Sequence, residues 1–171
     1  IYLEKEDIQK SKFYANQSLN EIRYMIGSGN INFSDDFEKM VNEIAQTFET
    51  NFGIKTNVYT ASKKIENLNK KAKTHLIRIL QESLSNISRH SNATQVEIKI
   101  IDGIDDFSFI ICDNGQGFDV KEVEQKNKTD SVKHFGLGNI KKRVNIIGGT
   151  VDFINKGGLT IAIKIKDSVY R

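Results

Sequence analysis

The segment Asp113-Asn114-Gly115-Gln116-Gly117-Phe118 follows an apolar run, Phe107 to Cys112, that has the pattern of a buried strand. A carboxylate at a strand end, followed by glycines in alternation, is suited to holding a ligand. Asp113 can accept a hydrogen bond from an amine. Gly115 and Gly117 let the backbone approach a flat or charged group and take φ > 0 where a side chain could not. A strand followed by an ordinary turn fits the same residues, so the segment alone leaves both readings open.

A second constellation lies upstream. Glu82, Asn86 and His90 are spaced four apart, which on a helix puts them on one stripe. Leu76, Ile77, Leu80, Leu84 and Ile87 fall on a different arc and should face a core. A carboxylate such as Glu82 can act as general base or orient water. The amide oxygen of Asn86 suits Mg2+, which prefers oxygen and keeps several waters. Arg89, three residues on, could reach a phosphate. A merely solvated helix face fits these residues too, and His90 could equally cap the helix C-terminus. His75, His90 and His134 have no partner set of Cys or close carboxylates, so no zinc site is read here.

These residues need elements to position them. Glu66 to Ser91 is predicted as the helix that carries Glu82 and Asn86. Before it, Leu3 to Ile26 has helical apolar spacing (Leu3, Ile8, Ala15, Leu19, Ile22, Ile26) and a stripe that requires a partner. Gly27-Ser28-Gly29-Asn30 ends that helix and marks the one internal boundary. A further helix opens at Ser34 or Asp35 as N-cap and buries Phe37, Met40, Val41, Ile44, Ala45 and Phe48, with Gly53 as its stop. Ile54–Thr60 and Thr94–Ile101 alternate and read as strands. Thr94–Ile101 and Phe107–Cys112 form a hairpin around residues 102–105. Asp119 to Phe135 is polar and aperiodic, and reads as a functional loop or lid. Gly136–Ile147 reads as a helix. Thr150–Asn155 and Leu159–Lys166 form a closing hairpin around Lys156-Gly157-Gly158.

Composition narrows the classes. The 171 residues suffice for one domain with a real core plus an appendage. Net charge is only +3 and the lysines are scattered, with no basic stripe interleaved with aromatics, so a nucleic-acid partner is not expected. The single cysteine, Cys112, excludes an internal disulfide and reads as a buried structural thiol. No run of about 18 apolar residues is present, so no membrane span is expected. No signal peptide is visible. Starting at Ile1 without Met, the chain reads as a piece of something longer.

Three segments therefore stand in order: Glu82 to Ser91, Asp113 to Gly117, and Gly136-Leu137-Gly138-Asn139-Ile140-Lys141-Lys142-Arg143-Val144. This resembles the ATP-binding domain of sensor histidine kinases, within the wider family of DNA gyrase, heat-shock and mismatch-repair ATPases. The segments resemble that family's N box and its first and second glycine boxes. The likeness is closest to the nitrate-sensing and membrane-fluidity-sensing kinases. Their N box, E-x-x-x-N-x-x-R/K-H-S/A, is matched by Glu82 to Ser91. Their G-L-x-x-M/L-x-x-R pattern before a G-G-x-V/L strand is similar to Gly136–Arg143 followed by Gly148-Gly149-Thr150-Val151.

The resemblance implies a fold in the α/β (α+β) class. A mixed, mostly antiparallel sheet would be covered by about three helices in two layers, preceded by a long helix from a dimerisation bundle. Residues 1–28 would be the second helix of that bundle's hairpin, and residues 29–171 the catalytic domain with its lid at 118–136. It further implies that Asp113 bonds the adenine amine, that Gly115 and Gly117 frame the base, and that Asn86 ligates Mg2+. Glu82 would orient the attacking group or a metal-bound water, and Arg89 or His90 would touch phosphate or ribose. Gly136, Leu137 and Gly138 would close the lid hinge at a helix N-terminus. Thr160 would stand for the family's threonine near adenine, a looser match because Leu159 separates it from Gly158. The implied activity is transfer of the ATP γ-phosphate to a histidine outside this chain, then to a response-regulator aspartate. The implied partners are a response regulator, the phosphoacceptor helix and a second subunit, and the implied location is cytoplasmic. A serine kinase or ATPase of the same fold, or a non-catalytic ATP-switched module, is the alternative.

Overall fold

The computed structural model describes residues 36–117 and 135–166, together with positions 7, 8, 11, 12 and 15, which are helical. The predicted long helix at 3–26 and the boundary at 27–30 lie otherwise outside the described residues, as does the predicted loop at 119–135 apart from Phe135, which is helical.

Helix α1, Phe37–Phe52, has its N-cap one residue past Asp35 and two past Ser34, the expected caps. Asp36 is the N-cap, its carboxylate accepting from Lys39 N at 2.9 Å. Asp36 is the residue with extended backbone just ahead of the apolar periodicity, which is what an N-cap needs. Gly53 ends the helix in the left-handed region, φ +67°, and its N–H bonds Glu49 O at 2.8 Å. Phe37, Val41, Ala45 and Phe48 form the buried stripe.

Strand β1, Lys55–Ala61, leads through a 3-10 turn, Lys64–Asn67, into helix α2, Lys70–His90. The predicted helix from Glu66 thus resolves into that turn followed by a true helix capped by Asn69, whose side chain accepts from Ala72 N. Strands β2, Gln95–Asp102, and β3, Asp106–Asp113, come next. Helix α3, Phe135–Ile146, then precedes β4, Thr150–Asn155, and β5, Leu159–Lys166.

The sheet order is β1-β2-β3-β5-β4. β1 runs parallel to β2, and all other neighbours are antiparallel. A parallel pair needs a crossover, which α2 supplies. The resulting mixed, mostly antiparallel sheet with three helices agrees with the expected architecture.

Alternation along the strands sorts the two faces. Val96, Ile98 and Ile100 of β2, Phe107, Phe109 and Ile111 of β3, and Ile161, Ile163 and Ile165 of β5 are buried. They pack with the α1 stripe and with Leu76, Ile77, Leu80, Leu84 and Ile87 of α2, the arc anticipated from spacing. Phe37 meets Phe109 edge-on at 6.2 Å between centroids. α3 adds Ile140 and Val144 to the core, and Lys141 lies over the Phe153 ring of β4 at 5.7 Å. The other sheet face carries Glu97, Lys99, Ser108, Cys112, Thr160 and Lys164, none of them buried.

Asp102 holds the 3-10 turn to the end of β2. Its carboxylate accepts from the Ser62 hydroxyl and from the N–H groups of Lys63, at 2.7 Å, and Lys64, at 3.2 Å. Burial pushes this carboxyl upward, but those donors outweigh it and hold the group below its ordinary value of 3.8. No described helix is long and apolar enough to cross a membrane.

Candidate functional site

Asp113 is the last residue of β3, and its alternation points it at the helix-covered side, paired with Val96 of β2. It is 3% exposed. One carboxylate oxygen accepts from Gly115 N at 2.8 Å and the other from Leu159 N at 3.3 Å. Each oxygen keeps a second lone pair, so the group can still accept from a ligand amine. Burial pushes its carboxyl above the ordinary 3.8, and the two backbone donors oppose this only in part.

The two glycines after Asp113 serve different needs. Gly117 has φ +63°, and a Cβ there would lie 1.9 Å from Asn155 Oδ1. Gly115 has an ordinary φ, and what excludes a side chain is contact: a Cβ would stand 2.1 Å from Ser91 O and 2.8 Å from Asp113 Oδ1. Conformational freedom thus applies to Gly117 and close approach to Gly115. Gly158, in the β4–β5 turn, combines both, with φ +121° and a Cβ position 1.8 Å from Asp113 O. The β4–β5 turn therefore forms the floor under Asp113, a role no local pattern announced.

Ser91 ends α2, the helix that carries Glu82 and Asn86, both half-buried. The loop after Asp113 therefore rests on that helix five residues past Asn86, or about 8 Å of helix axis. α3 approaches the same stripe from the other side. A Cβ on Gly136 would lie 2.6 Å from Glu82 Oε1 and 2.8 Å from Asn86 Nδ2, so the first turn of α3 abuts both side chains. Leu137 packs partly buried against the core, and Gly138 has nothing within 4 Å of its Cβ position. Arg89 and His90 are exposed at the end of α2. His90 contributes its backbone carbonyl, which accepts from Gln116 Nε2 at 2.8 Å.

Two expectations need correction. Thr160 is paired directly with Cys112, and its hydroxyl donates to Cys112 Sγ at 3.1 Å. Strand alternation puts that pair on the sheet face opposite Asp113, so Thr160 does not join the site. Leu159, one residue earlier, lies on the Asp113 side, and its backbone N–H reaches the carboxylate. Cys112 is half-buried on the open face rather than a core thiol.

Glu82 and Asn86 offer one carboxylate and one amide oxygen. That sparse, hard donor set suits Mg2+, which takes one or two protein oxygens and fills its shell with water and phosphate. Among the described residues, no three His, Cys, Asp or Glu side chains converge to hold a metal by themselves. A separate groove of about 490 Å³ between α1 and β1, lined by Asn42, Gln46, Glu49 and Thr56 among others, contains none of the site residues.

A mixed five-stranded sheet with helices on one face, and a buried Asp at a strand end over a Glu/Asn helix, define a nucleotide-binding ATPase class. Residues 71–169 match the histidine kinase-, DNA gyrase B- and HSP90-like ATPase family, and the chain belongs to it. It is 38% identical over 91 residues to the signal transduction histidine-protein kinase/phosphatase DegS of Bacillus subtilis (strain 168), covering 53% of this chain and 23% of that protein. To DegS of Brevibacillus brevis it is 30% identical over 164 residues, covering 94% of this chain and 40% of that protein. The chain thus spans only 23% and 40% of the length of these relatives. The solved catalytic domain of the histidine kinase ThkA, in a nucleotide-free form, superposes with a TM-score of 0.60 at 14% identity, covering 76% of this chain and 90% of that domain.

Proposed function

We propose that this chain is the ATP-binding catalytic region of a protein-histidine kinase. In this reading it presents the γ-phosphate of ATP to a histidine on another segment or subunit, for passage to a response-regulator aspartate. The observation that carries the nucleotide part is the buried Asp113 carboxylate, oriented by two backbone N–H groups and fixed by its loop to the helix bearing Glu82 and Asn86.

Asp113 accepts from the adenine amine and excludes bases that present an acceptor there. Gly115 and Gly117 keep the base edge clear of side chains. Asn86, with Glu82 beside it, holds Mg2+, whose chemistry there is to neutralise the phosphates. Glu82 orients the attacking imidazole or a water. The first turn of α3, from Gly136 through Leu137 to Gly138, directs N–H groups toward the phosphates. Arg89 and His90, exposed at the rim, are placed to touch phosphate or ribose. Catalysis of this kind is mostly positioning plus electrostatics.

Residues 1–28 are read as a helix of the dimerisation bundle. The helical state of positions 7, 8, 11, 12 and 15 supports this, as does Ile8, which is 52% exposed and would bury against a partner helix.

Asp113→Asn tests the assignment. The amide confronts an amine donor with a donor, and mismatched buried polar groups cost about 1–3 kcal/mol, or roughly 5- to 150-fold in affinity. Calorimetry should show ATP binding reduced by that order in the variant. Unchanged affinity would remove Asp113 from base recognition. Phosphotransfer from labelled ATP to a bundle fragment carrying a histidine tests the kinase step, and its absence with nucleotide still bound would reduce the reading to an ATP-binding module.

A further inference from the structure

We propose that Gln116 is a positioning residue that sets the spacing between the two halves of the nucleotide site, by closing the C-terminal end of α2 onto the Asp113 loop. This rests on the nucleotide reading above. The last carbonyls of a helix have no partner within it. At the end of α2, Ser91 O accepts from the backbone N–H of Gln116 and His90 O accepts from its side-chain amide, both at 2.8 Å. One residue thus takes two successive carbonyls of the helix that carries Glu82 and Asn86.

The helix end is itself held firmly. The Ser91 hydroxyl donates to Ile87 O at 3.0 Å and accepts from Ala93 N at 3.0 Å, and the chain departs through Asn92 at φ +52°. The other polar side chain of the loop does a different job. Asn114 Oδ1 accepts from Thr94 N and Gln95 N, each at 2.9 Å, and Asn114 Nδ2 donates to Thr94 Oγ1 at 2.9 Å. Those bonds join β3 to the start of β2, two strands already paired through Val96 and Asp113. Asn114 therefore fixes the loop within the sheet layer. Gln116 crosses from the sheet layer to the helix layer, and so fixes Asp113 relative to Asn86.

An exposed hydrogen bond adds little to global stability. Its effect should instead fall on ligands that span both halves. Adenosine has no phosphates to bring to Asn86, whereas Mg-ATP must meet Asp113 and Asn86 together.

The test uses the whole chain with Gln116→Leu, which keeps size and the backbone N–H but removes the side-chain donor to His90 O, and Gln116→Glu, which sets an acceptor against His90 O. Affinities for adenosine and for Mg-ATP are read by competition against a fluorescent ATP analogue, with urea unfolding alongside. Mg-ATP should weaken by about fivefold to tenfold, the equivalent of one lost hydrogen bond, while adenosine stays within about twofold and the unfolding midpoint holds. Asn86→Ala should absorb most of the effect, since the variant Gln116 has then no metal half to misplace. Equal loss for both ligands with a lowered midpoint would make Gln116 merely structural and overturn the proposal. So would no change in either ligand. If the unaltered chain bound neither ligand, the nucleotide reading itself would fall, an outcome distinct from both.

Discussion

Asp113 concentrates a conflict between stability and recognition in one residue. Recognition of an amine requires its carboxylate, while burial at 3% exposure favours the neutral acid and raises its pKa above 3.8. In the interval between that value and the folded pKa, the folded chain holds a proton that the unfolded chain has released. The stability from this group is therefore full below about pH 3.8 and drains as pH rises through the folded value. Nucleotide affinity should move the opposite way, rising as the carboxylate forms. Unfolding free energies from urea series for wild type and Asp113→Asn, measured across the acid range, should diverge in favour of the variant with rising pH, by at most about 1.4 kcal/mol per pH unit. Parallel curves would mean that Asp113 titrates as it does in the unfolded chain. Asp113 itself was legible because a carboxylate ending an apolar run is a local signal. Gly158 and Leu159, which supply its floor and one of its donors, were not. They reach it from 45 and 46 residues away in sequence, and only the β3–β5 pairing makes them neighbours. The same pairing separates Thr160 from the site, because one residue of register exchanges the faces of a strand.

At the scale of elements, α2 and α3 show how a helix contact becomes a binding feature. Alanine normally stabilises a helix relative to glycine by about 1 kcal/mol. Gly138→Ala should realise that gain, because its Cβ would meet nothing within 4 Å. Gly136→Ala faces the same propensity gain but directs its methyl to 2.6 Å from Glu82 Oε1 and 2.8 Å from Asn86 Nδ2. Both side chains must shift, so the variant should remain about as stable as wild type while losing Mg-dependent ATP affinity. Thermal unfolding together with calorimetry, with and without Mg2+, checks the pair. Full Mg-ATP affinity in Gly136→Ala would detach the start of α3 from the site. Most elements were readable to within a residue or two, because their apolar periods are long and their stops are marked by Gly53, Gly103 and Gly148-Gly149. Two features were not. The 3-10 turn at Lys64–Asn67 carries Ile65 in a helical apolar rhythm, and only the Asp102 clamp reveals it as a separate turn. The parallel pairing of β1 with β2 leaves no local trace, since a strand alternates alike whichever way its neighbour runs.

For the whole molecule, the span of sequence likeness and the physical unit do not coincide. The family match begins at residue 71, but the core does not. Phe37, Val41 and Phe48 of α1, with Ile65 and Leu68 after β1, are each 4% exposed or less. β1 also occupies the sheet edge and covers the backbone groups of β2 from Gln95 to Ile101. A chain cut at residue 70 would lose these five side chains from its core and expose β2 as a new edge. At about 1.5–3 kcal/mol for each large buried side chain, the loss is roughly 7–15 kcal/mol, which matches the whole stability of an ordinary domain. Even a partly compensated loss leaves an apolar sheet edge open to association. The segment 70–166 should therefore show no cooperative urea transition and should aggregate. The segment 36–166 should unfold in one transition, because Asp36 caps α1 and completes the core from its own residues. Circular dichroism across a urea series, with light scattering on the same samples, distinguishes the two. A cooperative, monomeric transition in 70–166 would show that α1 and β1 only decorate a domain that Glu82, Asn86 and Asp113 can share without them. Failure in 70–166 with success in 36–166 would make α1 and β1 part of what holds the Asp113 loop against α2, since β2 anchors that loop through Thr94 and Gln95 and is itself held by β1.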